Sequence, residues 1–232
     1  MYNHYMIEHT ADKRFEPVHK SRTFNTILDT LKLRNKKVLD LGCDYGEYLV
    51  EFDKMSVCVT STLDEVEFGK QRNIRIVRGN VEFIDELGLN ESFEGIWANN
   101  LFEHLLAPHA FLIKLKTVAD PKTTLILGVP VVPRIASLMK ITRFRGALAG
   151  AHVNFFTRET LRLSVEKAGW KVHTVRSFYF KNALLDWFFS FFAPHLYVVA
   201  ENNIDFKYPD KKLKEWKDEP HYAKVISIAN KI

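Results

Sequence analysis

The stretch Val38-Leu39-Asp40-Leu41-Gly42-Cys43-Asp44-Tyr45-Gly46 joins an apolar run to two glycines and two carboxylates. Glycine permits positive φ and lets a ligand lie close to the backbone. Dinucleotide-binding turns use G-x-G-x-x-G, which sets pyrophosphate on a helix N-terminus. Here the spacing is G-x-x-x-G, and Asp40 stands two positions before the first glycine. A carboxylate there suits an ammonium group and opposes a pyrophosphate. Two histidines add proton-transfer chemistry. His104 follows Glu103, and His152 lies further along the chain. Imidazole titrates near neutral pH and can take a proton from a hydroxyl acceptor. Each has a plainer alternative. Glu103-His104 can be a hydrogen-bonding pair at a helix start, and His152 a cap or packing residue. No metal-ligand spacing is present, and no metal is expected.

These residues need elements to hold them. Strands are expected at Val38–Leu41, Val57–Thr62, Ile74–Val77, Gly95–Ala98, Thr124–Val129, Lys171–Ser177 and Leu196–Ala200, from their β-branched and apolar content. Helices are expected at Ser21–Leu33, Tyr45–Phe52, Val66–Lys70, Ala110–Val118 and Thr157–Ala168, with Gly169 closing the last. Strand–helix alternation predicts an α/β fold: a Rossmann-like, doubly wound, mostly parallel seven-stranded sheet with helices on both faces. Ligands then bind at the carboxyl ends of the strands. One domain is expected over residues 1–201, with an N-terminal extension at 1–20 and an insertion at 131–150. A charged, loosely held tail is expected over 202–232.

At Asp40, Gly42 and Gly46 the chain resembles the class I S-adenosylmethionine-dependent methyltransferases, whose first motif usually reads V-L-D-x-G-C-G-x-G. The chain departs at the middle glycine, which is Asp44. Further likenesses follow in order. Asp64, with Glu65 after it, follows the second strand, where the family places an acid for the ribose hydroxyls; the alternative for Asp64 is a helix N-cap. Gly79-Asn80-Val81-Glu82 resembles the family's G-D-x-x segment, which implies Asn80 at the adenine amino group and Val81 against the ring. Phe93 to Leu105 resembles F-D-x-V-x-x-x-x-V-L-E-H-L, with Asn99 facing the cofactor. His152 to Leu161 and Ala168-Gly169-Trp170 resemble H-x-x-x-F-T-x-x-x-L…A-G-F, which sets His152 at the pocket mouth. The resemblance implies S-adenosylmethionine as cofactor, held by Asp40, Gly42, Cys43, Asp44, Gly46, Asp64, Asn80, Val81 and Asn99. It implies methyl transfer to a small-molecule acceptor: a sugar, a lipid-linked intermediate or a secondary metabolite. The 131–150 segment would be part of the substrate cover.

Composition narrows the alternatives. Of 232 residues, 33 are basic and 28 acidic, a mild excess that favours anionic partners without demanding nucleic acid. An RNA methyltransferase stays open, although no appended RNA-binding module or Asn-Pro-Pro-Tyr-like motif is present. A non-catalytic module that kept the fold also stays open, with Asp44 as its main support. Cys43 and Cys58 read as separate small core residues in a reducing compartment. No secretory signal or membrane-spanning run is expected, and cytoplasm is the default location. The aromatic stretch 183–192 reads first as core packing. With the basic and apolar 131–150 segment, it is also where a membrane-surface or homodimer contact would fall.

Overall fold

The computed structural model describes residues 13–133, 147–148, 150–217, 219 and 223–231. Seven strands form one sheet: β1 (Val38–Leu41), β2 (Val57–Thr60), β3 (Ile76–Arg78), β4 (Phe93–Asn99), β5 (Ala119–Pro130), β6 (Trp170–Arg176) and β7 (His195–Asn202). Their order is β3-β2-β1-β4-β5-β7-β6. The first five are parallel, and β7 runs antiparallel to both β5 and β6. The expected Rossmann-like α/β sheet is present.

Side chains alternate across each strand, so each strand feeds two cores. Leu39, Leu41, Val57, Val59, Ile96, Ala98, Leu125 and Leu127 fill one face. Val38, Cys58, Trp97, Ile126 and Val199 fill the other, with Phe24, Ile27 and Leu28 of α2 (Arg22–Leu31) packed on them. A shorter helix, α1 (residues 13–19), precedes α2. Ser21 caps α2 by accepting from the Phe24 amide. α3 (Leu63–Arg72) joins β2 to β3, and α4 (Pro108–Lys114) joins β4 to β5. α5 (Arg158–Lys167) starts at a capping box in which Thr157 and Thr160 satisfy each other's amides.

Three expectations are corrected. Tyr45–Phe52 is not an α-helix. Asp44 and Gly46 both take positive φ, 47° and 85°, so a regular helix cannot start there, and only Leu49–Glu51 coil as a 3-10 turn. The aromatic stretch forms α6 (Ala183–Phe189), but its aromatic side is not core. Leu184 and Phe188 are 73% and 61% exposed. The helix is held instead by buried Asp186, which accepts from the Phe180 amide and the Ser177 hydroxyl. The tail is not loose throughout. It forms α7 (Asp210–Lys217) and α8 (Ala223–Lys231), and Val225 and Ile228 of α8 pack against the core. Lys224 ion-pairs with Asp85 and Glu86.

The insertion lies largely outside the described residues, including its Arg134, Ile135, Leu138, Met139, Lys140, Ile141, Arg143 and Arg145. Residues 1–12 of the N-terminal extension lie outside them too. Among the described residues, no helix is long and apolar enough to cross a membrane.

Candidate functional site

β1 ends at Leu41 and the chain turns at once. Gly42 takes φ 69°, and a Cβ there would lie 3.1 Å from the Leu101 side chain. Asp44 sits where the resemblance anticipates glycine, yet its φ is 47°. Asp is among the few non-glycine residues that visit this left-handed region. The departure from the motif therefore keeps the turn's shape. Its carboxylate ion-pairs with Arg14 of α1, which also reaches Glu47 at 3.0 Å.

The same register explains a further difference. Asp40 lies beside Cys58 in the β1–β2 pairing, which sets Cys43 of the turn against β2. Cys43 and Cys58 are both buried, but they are bonded as a disulfide, with Cα atoms 5.9 Å apart, and are not two separate thiols.

Asp40 is 1% exposed, and its Oδ2 has no hydrogen-bond partner. Burial, and then the nearby Glu47 and Asp44, raise its pKa well above the usual carboxylate range. Glu47 is raised as well, again chiefly by burial. Tyr48, close to both acids, is pushed up to about 12, chiefly by burial. Its hydroxyl accepts from the Asn99 amide at 3.1 Å. Asn99 Oδ1 is buried and unpaired. Gly128 in β5 makes room for it, since a Cβ at that position would collide with this oxygen. A cavity of about 380 Å³ opens here, lined by Arg14, Gly42, Cys43, Asp44, Glu47, Tyr48, Asn99 and Asn100.

Other expected residues lie further out. Asp64 is exposed in the first turn of α3, and Thr62, not Asp64, is the N-cap. Glu65 instead turns back to accept from the Thr60 hydroxyl at the end of β2. Its pKa is raised, first by burial, with Asp44 and Arg14 also acting on it. Asn80 caps a 3-10 turn, its Oδ1 accepting from the Glu82 amide at 3.0 Å. Val81 is buried in the core.

A second cavity, of about 360 Å³, shares Asn99 and Asn100 with the first and is lined also by Ser21, Phe178, Tyr179, His195 and Tyr197. His195 was missed by sequence reading. No motif marks the start of β7, and its partner Asn100 lies 95 positions away. Burial lowers its pKa to about 4, so it is neutral at pH 7, with Nε2 2.9 Å from Asn100 Oδ1. A larger depression of about 670 Å³ lies between the α3 end and Ser56, at the amino ends of β2 and β3. That is the opposite edge from the turn.

His104 and His152 do come together. Their rings meet edge-to-face with centroids 4.8 Å apart. Glu103, 1% exposed, lies between them, with Oε1 3.9 Å from each Nε2. Burial raises the Glu103 pKa, and the two histidines oppose that rise. The loop carrying His152 is pinned to this turn. Val153 and Asn154 amides donate to the Glu103 carbonyl, both at 3.0 Å, and the Asn154 side chain donates to the Leu105 carbonyl at 2.6 Å.

Comparison with known proteins bears on the family and the fold. Residues 7–175 match the model of a methyltransferase domain family, well over half of the chain. No curated protein sequence matches. Among solved structures, an S-adenosylmethionine-dependent methyltransferase from Clostridium acetobutylicum aligns with TM-score 0.60 and 10% identity, over 87% of this chain and 99% of its own. One from Archaeoglobus fulgidus aligns with TM-score 0.57 and 15% identity, over 81% and 97%. A chain from the complex of the Haloferax volcanii Trm112 methyltransferase activator with a methyltransferase aligns with TM-score 0.60 and 13% identity, over 84% and 95%. A sheet of this order, a left-handed glycine turn after β1 and the family match over residues 7–175 together make this chain a member of the class I S-adenosylmethionine-dependent methyltransferases.

Proposed function

We propose that the chain transfers the methyl group of S-adenosylmethionine to a small-molecule acceptor bound at the carboxyl edge of the sheet. The observation that carries this reading is Asp40: a buried carboxylate with an unpaired oxygen, crowded by Glu47 and Asp44. Such a group is costly unless a cation meets it. The ammonium of the cofactor's methionine part is such a cation. Arg14, already paired with Asp44 and Glu47, is suited to the adjoining carboxylate.

The remaining roles follow by position. The backbone of Gly42, Cys43, Asp44 and Gly46 forms the turn that the cofactor lies against. Glu65, and less directly Asp64, serves the ribose hydroxyls. Asn80 and Val81 serve the adenine. Asn99, which lines both cavities, orients the methionine part toward the acceptor. Bound S-adenosylmethionine supplies an activated sulfonium methyl, so the protein's task is alignment and exclusion of water. A hydroxyl acceptor must also lose a proton, and His104 and His152 are the bases we assign to that step.

Calorimetric titration of the purified chain with S-adenosylmethionine and with S-adenosylhomocysteine tests the reading. Micromolar binding of both is expected, followed by methylation in an acceptor screen. Failure of folded protein to bind either would overturn the reading and favour a module that kept only the fold.

A further inference from the structure

Glu103, His104 and His152 form a cluster in which a buried carboxylate and two imidazole nitrogens face one another with no hydrogen bond between them. His104 Nδ1 lies 3.1 Å from the Ala151 carbonyl, and His152 Nδ1 lies 2.9 Å from the Ala147 carbonyl. A carbonyl only accepts, so both Nδ1 atoms carry the proton. In the neutral ring this leaves each Nε2 as a lone pair. Both lone pairs then point at Glu103 Oε1, at 3.9 Å. That is too long for a hydrogen bond, so the two ring nitrogens and the carboxylate are left without a direct hydrogen bond to one another. Neither Glu103 oxygen has a hydrogen-bond partner, although the residue is 1% exposed.

We infer that Glu103, His104 and His152 form a site for a divalent first-row transition-metal ion. The three ligand atoms all lie within 4.8 Å of one another. Zinc binds imidazole and carboxylate at about 2.0–2.2 Å, so two of its ligands stand at most roughly 4.2 Å apart. The two 3.9 Å separations from Glu103 already fit that limit. Small movements of the two rings complete the closure, and His104 at 40% side-chain exposure has room to make them. Both histidines donate their other ring nitrogen to a backbone carbonyl, the support that metal-ligating histidines usually have. Two imidazoles and one carboxylate favour zinc, cobalt, manganese or iron over magnesium or calcium. Three protein ligands leave positions open to a small ligand. The spacing of the ligands, two adjacent and one 48 positions on, is why no metal motif shows in the sequence.

The cation site stands on its own geometry. Its chemical role, drawing an acceptor oxygen to the ion and easing loss of its proton, rests on the methyl-transfer reading above. In that role the ion takes the histidine lone pairs and replaces the histidines as the group that promotes deprotonation.

The test uses the chelator-stripped chain. Cobalt(II) is added while its visible d–d bands are followed, and zinc is titrated by calorimetry. One ion per chain is expected, with a four- or five-coordinate cobalt spectrum. His152→Ala and Glu103→Gln should each weaken zinc binding by more than the roughly 10–100-fold that losing an outer partner costs. His104→Gln, at a half-exposed position, should do the same and guards against a variant that fails to fold. Absence of a cobalt spectrum, or zinc affinity indifferent to these substitutions, would overturn the proposal. So would imidazole nitrogen NMR at neutral pH showing both rings doubly protonated in the presence of zinc. S-adenosylmethionine binding, measured separately, tells failure of the metal site from failure of the methyl-transfer reading.

Discussion

Along the carboxyl edge of the sheet, the side after β1 and the side after β4 use charge differently. After β1, Asp40, Asp44 and Glu47 crowd together with Arg14 against the outer two, and Asp40 is left buried with a free oxygen. After β4, a single buried carboxylate faces two imidazole nitrogens. Both sides bury a carboxylate with an oxygen that makes no hydrogen bond, and burial raises its pKa. The first side is local in sequence, built within Asp40–Gly46 with Glu47 beside it. The second joins Glu103 and His104 to a loop from the far side of β5. The contrast teaches that the turn after β1 is built from neighbours in sequence, whereas the Glu103 cluster is set by tertiary contacts.

The largest expected effect lies in the turn. Gly42→Val should abolish measurable cofactor binding by calorimetry. The residue would have to hold φ 69°, at about 1–2 kcal/mol, with its Cβ pressed on Leu101. Near-normal affinity would break the claim that this turn shapes the cofactor site.

Asp40→Asn should move affinity and stability in opposite directions. Loss of a charged partner weakens cofactor binding by about 10–100-fold. The ligand-free protein should melt higher at neutral pH, because Asn removes the cost of burying a carboxyl whose ionisation the folded state opposes. The sign follows from the raised pKa. The folded-state value lies above the unfolded one, so the stability that Asp40 contributes is full below its unfolded pKa. It is lost as pH rises toward the folded value. The Asn variant should lack that slope. Cofactor binding should also release a proton and strengthen with rising pH over the same window. Titration in two buffers of different protonation enthalpy reads this directly.

A smaller difference separates two neighbours. Glu65→Gln should weaken cofactor binding by about 5–20-fold, since Glu65 is the acid turned toward the β2 end. Asp64→Asn, at an exposed position, should change it by less than about 2-fold. The reverse ranking in calorimetry would restore Asp64 to the ribose role.

Much of the frame was readable from local pattern. β1 matches its expected bounds and the other strands overlap theirs, with β5 beginning five residues early at Ala119, because buried strands are short apolar runs between turn residues. The starts of α2 and α5 were readable near Ser21 and Thr157 for a similar reason: each of these side chains accepts from an amide only three residues on. Where local pattern failed, a distant partner or an unusual backbone won. The segment Tyr45–Phe52 looks helical but begins inside two left-handed residues. The 183–192 stretch looks like core, yet Asp186 is the side chain drawn inside, and the aromatics are left outside.

The sequence by itself determined the sheet, the glycine turn and the acid that ends β1. Those depend on periodicity, glycine content and residues within one turn of each other. Only the tertiary structure decided that Arg14 closes over Asp44 and Glu47, and that Glu65 rather than Asp64 turns inward. It alone joined Cys43 to Cys58, set His195 beside Asn100, and brought His104 and His152 to one buried carboxylate. Such contacts are fixed by strand register and crossover connections, which bring together residues that no short-range pattern relates.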